Sequence, residues 1–129
     1  MKFLQMSNKR LALFFLRFVT GINFLMHGAV RVLGDYSGFA SGMVDDFSDT
    51  FLPTFSVKLL AYTIPIIELV VGIILITGIK LRLGLVLGFL LMATLIFGMS
   101  LLQQWGVVGT QMLYLFALFF IMYLQDDLD

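Results

Sequence analysis

The sequence predicts an all-α membrane protein: a four-transmembrane-helix bundle with an interfacial segment between helices 1 and 2, and both termini in the cytoplasm. Three observations predict it. First, 60% of the 129 residues are hydrophobic and 12% charged, with a mean hydropathy of +1.04, well outside the usage of soluble domains. Second, long apolar stretches recur four times, each near the roughly 20 residues that cross a hydrocarbon core about 30 Å thick. Third, Lys2, Lys9, Arg10, Lys80 and Arg82 flank one side of the spans and only Arg31 and Lys58 the other, which makes the first side cytoplasmic.

The spans are placed at residues 11–33, 59–79, 83–102 and 107–124, within a single domain, 1–129. The runs are rich in Leu, Ile and Phe and lack the apolar–polar alternation of a membrane barrel, so they are helices. Lys9 and Arg10 before an apolar run suggest a signal peptide. That run is too long, contains Arg17 and lacks a small-x-small cleavage site, so the first helix is expected to stay in the mature protein.

Between the first two spans, residues 34–57 carry Phe39, Met43, Phe47, Phe51 and Phe55 every four positions. That spacing makes one helical face, with Asp45, Asp46 and Asp49 largely opposite. The segment is expected to lie in the outer interface with its Phe rings at the acyl boundary, and to end at Pro53; the alternative is an irregular loop. The connections at 78–82 and 103–106 are short, which makes consecutive spans antiparallel neighbours. Trp105 suits the headgroup region.

Charges inside hydrocarbon are costly, so Arg17 in the first span and Glu68 in the second carry the most information. Counted from the cytoplasmic ends, their Cα depths differ by roughly 6 Å at 1.5 Å per residue, and the two are expected to meet. Along the first span Arg17, Thr20, Gly21, Phe24, His27, Gly28 and Arg31 share a polar or small face. On the second, Ala61, Pro65, Glu68 and Gly72 form a matching stripe. A polar pocket opening outward between these helices is expected. Arg17, His27, Glu68 and Gln111 are the candidates for ligand binding or proton handling, with His27 near the outer surface as a titrating group or a donor to a quinone carbonyl. Gly21, Gly28, Pro65 and Gly72 are structural. The competing reading is that Arg17 and Glu68 only neutralise each other and fix register, that His27 is a satisfied polar side chain at a helix contact, and that Gln111 makes an interhelical hydrogen bond.

The sequence also limits the chemistry. There is no cysteine, so neither thiol exchange nor iron–sulfur ligation originates in this chain. One histidine cannot supply a bis-histidine haem. No phosphate loop, hydrolytic triad or metal-ligand cluster is present, and no metal site or catalytic residue is assigned. A formal net charge of zero gives no footprint for nucleic acid.

Taken in order, Arg17-x3-Gly21, His27-Gly28 with Arg31, Pro53, Glu68-x3-Gly72 with Gly78, then Arg82 and Met92 resemble the DoxX family of small four-helix bacterial membrane proteins. The resemblance covers nearly the whole chain, and its specificity comes from the order of loose motifs. Arg31 stands where many relatives have Lys, and residues 34–53 are more acidic than the family pattern. The resemblance implies a bundle in the bacterial inner membrane and a loose association with redox systems. Relatives include a quinone-reducing thiosulfate oxidoreductase subunit and components of membrane-associated oxidative-stress complexes.

The resulting expectation is a small membrane subunit of a larger respiratory or redox-linked complex, not an enzyme alone. It would have no intrinsic cofactor, take quinone or a lipid head in its pocket, and have membrane lipid and other membrane subunits as partners. A purely structural or assembly subunit, and a small-solute or proton carrier, are the alternatives.

Overall fold

The computed structural model describes residues 2–126 and is helical throughout: a short 3-10 turn at Phe3–Gln5, then α1 (Asn8–Leu33), α2 (Tyr36–Asp46), α3 (Thr54–Thr77), α4 (Leu81–Leu101) and α5 (Trp105–Gln125). Helices α1, α3, α4 and α5 are long and apolar enough to cross a membrane. Four crossings bring the two chain ends to one end of the bundle, here the terminal end; α2 caps the other.

The helices run past the apolar stretches that announce them. Ser7 starts α1, its hydroxyl accepting from the Arg10 amide at 3.2 Å. Pro53 precedes the first turn of α3, where its missing N–H costs nothing, and Thr54, Ser56 and Lys58 follow as polar residues of that turn. At 26 residues α1 measures about 39 Å, longer than a hydrocarbon core. Its ends therefore reach the headgroups.

Helices α1 and α3 form the most extensive pair. They touch backbone to backbone: a Cβ on Gly28 would collide with the Pro65 carbonyl, and one on Gly72 would lie 2.5 Å from the Leu25 amide nitrogen. As α1 numbers rise from Gly21 to Gly28, the facing α3 numbers fall from Ile76 to Pro65, so the helices are antiparallel. Pro65 sits inside a continuous α3. Beside them a core of Val71, Leu75, Leu85, Met92, Leu118 and Ile121, each 2% exposed or less, joins α3, α4 and α5.

The segment before α3 departs from expectation. Asp35 caps α2, its carboxylate accepting from the Gly38 amide at 3.0 Å. The helix ends at Asp46 and not at Pro53, because Ser48 Oγ donates to the Asp45 carbonyl and Thr50 Oγ1 to that of Phe47, replacing helical bonding with local turns. The Phe run is divided accordingly. Phe39 and Met43 are half-buried and Phe47 is buried against the bundle, whereas Phe51 and Phe55 are each 75% exposed. The first three roof the helices instead of entering lipid.

Candidate functional site

Glu68 is buried to 3% exposure, and the cation that meets it is Arg31: Nη1 donates to Oε1 at 2.8 Å. The expected Arg17–Glu68 contact does not form. Arg17 lies at the terminal end, its guanidinium against Gly78 at the C-terminus of α3. Counting from the span ends misplaced it because α1 begins well before α3 ends: Arg17 stands level with Gly78, ten residues or about 15 Å along α3 from Glu68, whereas Leu25 and Gly28 stand level with Gly72 and Pro65. In antiparallel α1 and α3, Glu68 leans toward the α2 end and Arg31 leans back to meet it, while Arg17 leans away. A buried ion contact between the first two spans exists, but with a different arginine, about four helical turns beyond Arg17 and one beyond His27.

Phe39 of α2 covers this pair, its ring centroid 4.4 Å from the Arg31 guanidinium carbon. Tyr36 anchors the same helix, its hydroxyl donating to the Tyr62 carbonyl of α3 while the two rings lie 5.0 Å apart. Beneath α2 is a cavity of about 480 Å³, to which all five helices contribute. His27, Arg31, Glu68 and Gln111 line it together with Asn23, Asp46, Thr110 and Tyr114; Phe24, Ile64, Met92, Leu95 and Met99 supply apolar wall.

Gln111 is 9% exposed, and its Oε1 is buried with no hydrogen-bond partner. No described residue takes up that oxygen, so the expected interhelical bond to it is absent. His27 Nδ1 lies 2.8 Å from the Asn23 carbonyl oxygen. A carbonyl only accepts, so Nδ1 carries the proton and the neutral ring offers Nε2 as an acceptor. A neutral His27 therefore does not donate to a ligand carbonyl; the amides of Gln111 and Asn23 and the hydroxyl of Tyr114 are the neutral donors on the wall. The Tyr114 ring packs edge-on to His27 with centroids 6.3 Å apart.

Sequence reasoning missed Asn23, Thr110 and Tyr114 as lining residues and assigned Arg31 to the outer flank. The signal for Tyr114 was available: Val107, Gln111 and Tyr114 follow helical spacing, so the face that holds Gln111 also holds the other two. Asn23, one turn before His27, follows by the same rule. The roof residues Phe39, Met43 and Phe47 were marked as one helical face by their spacing, which did not say that the face covers this cavity. Among the described residues, no group of His, Asp and Glu is arranged to hold a metal ion.

Four apolar crossing helices around a partly polar cavity, closed at one end by an amphipathic helix, define a small multi-span membrane protein. The family model for DoxX matches residues 12–101, most of α1 through α4, and the chain belongs to the DoxX family. No curated protein and no solved structure matched it.

Proposed function

We propose that this chain is a small subunit of a larger redox-linked membrane complex, lying in a bacterial inner membrane with its termini cytoplasmic, and that the cavity beneath α2 receives a quinone head. The observation that carries this reading is the Gln111 amide, buried, with an unpartnered oxygen on the wall of a cavity of about 480 Å³. Leaving such an atom unpaired in a low-dielectric site costs about 1–3 kcal/mol, and a bound polar group removes that cost. Cavities of about 300–1,000 Å³ that are mostly apolar with a few placed polar groups are the usual form of small-molecule sites.

The donor set suits a quinone in both oxidation states. The carboxamide nitrogen of Gln111 donates to a carbonyl, and its oxygen accepts from a hydroxyl. His27 Nε2 accepts a proton, with Tyr114 against its ring, and the Arg31–Glu68 pair lies one turn further along α1 on the same lining. Quinone, where bound, supplies the two-electron chemistry. With no cysteine and one histidine in the chain, other electron carriers belong to partner subunits.

The self-neutralised Arg31–Glu68 pair favours a second reading, a structural or assembly subunit in which the cavity holds lipid or water. Purification of the full chain from its native membrane in mild detergent, followed by mass spectrometry of co-purifying chains and of extracted quinone, decides between them. We expect quinone in near-stoichiometric amount and at least one larger partner. A partner without quinone favours the structural reading, and a lone chain without either sinks the proposal.

A further inference from the structure

Arg17 carries a requirement that the cavity does not meet. Its guanidinium packs at the terminal end against Gly78, where the chain turns through Ile79 and Lys80 into α4; a Cβ on Gly78 would lie 2.6 Å from Arg17 Nη1. Gly78 takes φ +76°, so glycine is demanded there by the backbone as well as by the arginine. Because α1 is longer than the hydrocarbon core and α3 ends at this level, Arg17 stands at the hydrocarbon–headgroup boundary and not at mid-membrane.

Among the described residues nothing at that boundary matches its charge. Nε is buried with no hydrogen-bond partner, and no described carboxylate forms an ion pair with Arg17; its guanidinium carbon lies 5.8 Å from the Phe14 ring centroid. The partial negative charge at the end of α3 attracts the guanidinium. It does not use five N–H donors, and a half-buried cation with spare donors calls for an anion. Exposed Lys80 stands two residues beyond Gly78, and Arg82 is exposed two residues further. Beside them Phe3, Phe14, Phe15 and Phe18 form an aromatic group with neighbouring centroids 5.5–5.8 Å apart, an apolar surface suited to the acyl boundary.

We propose that Arg17, with Lys80, binds the phosphate of an anionic phospholipid at the terminal end of the bundle, the acyl chains lying along the Phe14 and Phe18 side of α1. Arginine takes phosphate through two parallel N–H···O bonds, and the lysine adds a point charge. This site is separate from the cavity beneath α2, and its existence does not depend on what that cavity holds.

The test uses the full chain, delipidated in neutral detergent, with binding read by native mass spectrometry and by thermal shift. The probes are phosphatidylglycerol, phosphatidylcholine and inorganic phosphate. We expect phosphatidylglycerol to bind and raise the melting temperature, and the other two to have little effect. Arg17→Gln should weaken phosphatidylglycerol by about fivefold or more, the contribution of one basic residue near an anionic surface, and Arg17→Lys by less, while Lys58→Gln at the opposite end leaves it unchanged. Should Arg17→Gln fail to fold, Lys80→Gln and a salt titration of the unmodified chain give the same information: affinity should fall with both. Equal binding of the two lipids, full retention in Arg17→Gln, or salt-independent affinity overturns the proposal. Competition by inorganic phosphate at similar concentration reassigns the site to a soluble anion and overturns the lipid.

Discussion

Arg31 and Glu68 meet across the α1–α3 contact with Nη1 and Oε1 2.8 Å apart, the carboxylate side chain 4% exposed and the guanidinium side chain 32%. The asymmetry sets the cost of breaking the pair. Arg31→Met leaves a buried carboxylate without its cation and should destabilise by about 2 kcal/mol, below the range for fully buried pairs because Arg31 is partly solvated. Glu68→Gln leaves an exposed-side cation and a neutral amide, a smaller loss. The combination Arg31→Met with Glu68→Met should recover most of the stability, since a buried pair is often replaceable by apolar groups of like volume. Reversible unfolding in mixed micelles measures all three; a double variant as unstable as the worse single one would contradict this account.

The close approach of α1 and α3 rests on three glycines, Gly21, Gly28 and Gly72. Gly72→Ala puts a methyl group 2.5 Å from the Leu25 nitrogen and 2.8 Å from the Gly21 carbonyl oxygen, where backbone and not a flexible side chain must yield. A loss of about 1–3 kcal/mol is expected, the usual range for overpacking. Gly42→Ala and Gly106→Ala meet nothing within 4 Å and should leave the melting temperature nearly unchanged. Thermal melts of the three variants in one detergent give the comparison.

How much of this was legible in the sequence follows from the physics of each signal. The four spans were, because hydrocarbon thickness imposes a length and an apolar composition on every one of them. Their starts were less so: Thr54, Ser56 and Lys58 belong to α3 but lie where polar residues are tolerated, and a hydropathy count stops before them. The pairing of charges was misread because a count from the span ends assumes that α1 and α3 start level; Arg17 instead stands at Gly78, ten residues along α3 from Glu68, and its side chain leans further away. The period-four Phe run announced a face on α2 without naming the surface it would cover. Gln111 was placed on the cavity because a carboxamide in a span has few other stable positions, whereas Asn23 and Tyr114 needed the face of each helix to be followed one turn further.

The hydroxyl of Tyr36 donates to the Tyr62 carbonyl, the one side-chain hydrogen bond from α2 to α3 among the described residues. Tyr36→Phe keeps the ring contact and removes about 1 kcal/mol, which should speed opening of α2 by about fivefold. Hydrogen exchange of residues 36–47 should rise by that factor while α4 and α5 stay protected. Unchanged exchange would mean that the apolar roof of Ala40 and Phe47, both buried, holds the helix alone.

Orientation can be measured directly because the chain contains no cysteine. Ser41 on α2 and Lys2 near the N-terminus are both exposed and at opposite ends of the bundle. With the termini cytoplasmic, Ser41→Cys in intact spheroplasts reacts with a membrane-impermeant maleimide and Lys2→Cys reacts only after lysis. The reverse pattern would place the cavity on the cytoplasmic side.

Gln111 gives the sharpest separation between the quinone and structural readings of the cavity. Gln111→Leu removes a buried oxygen that has no partner among the described residues, so the protein itself should become no less stable and should gain about 1 kcal/mol, the cost of an unmatched acceptor being lifted. Quinone retention should fall, because the wall loses the buried amide that serves both a carbonyl and a hydroxyl and has no partner of its own. His27→Gln, which keeps polarity at the neighbouring position, should reduce retention less. Measured together, melting temperature and extracted quinone per chain then move in opposite directions for Gln111→Leu. A structural role predicts unchanged retention, since an incidental ligand does not depend on the Gln111 carboxamide.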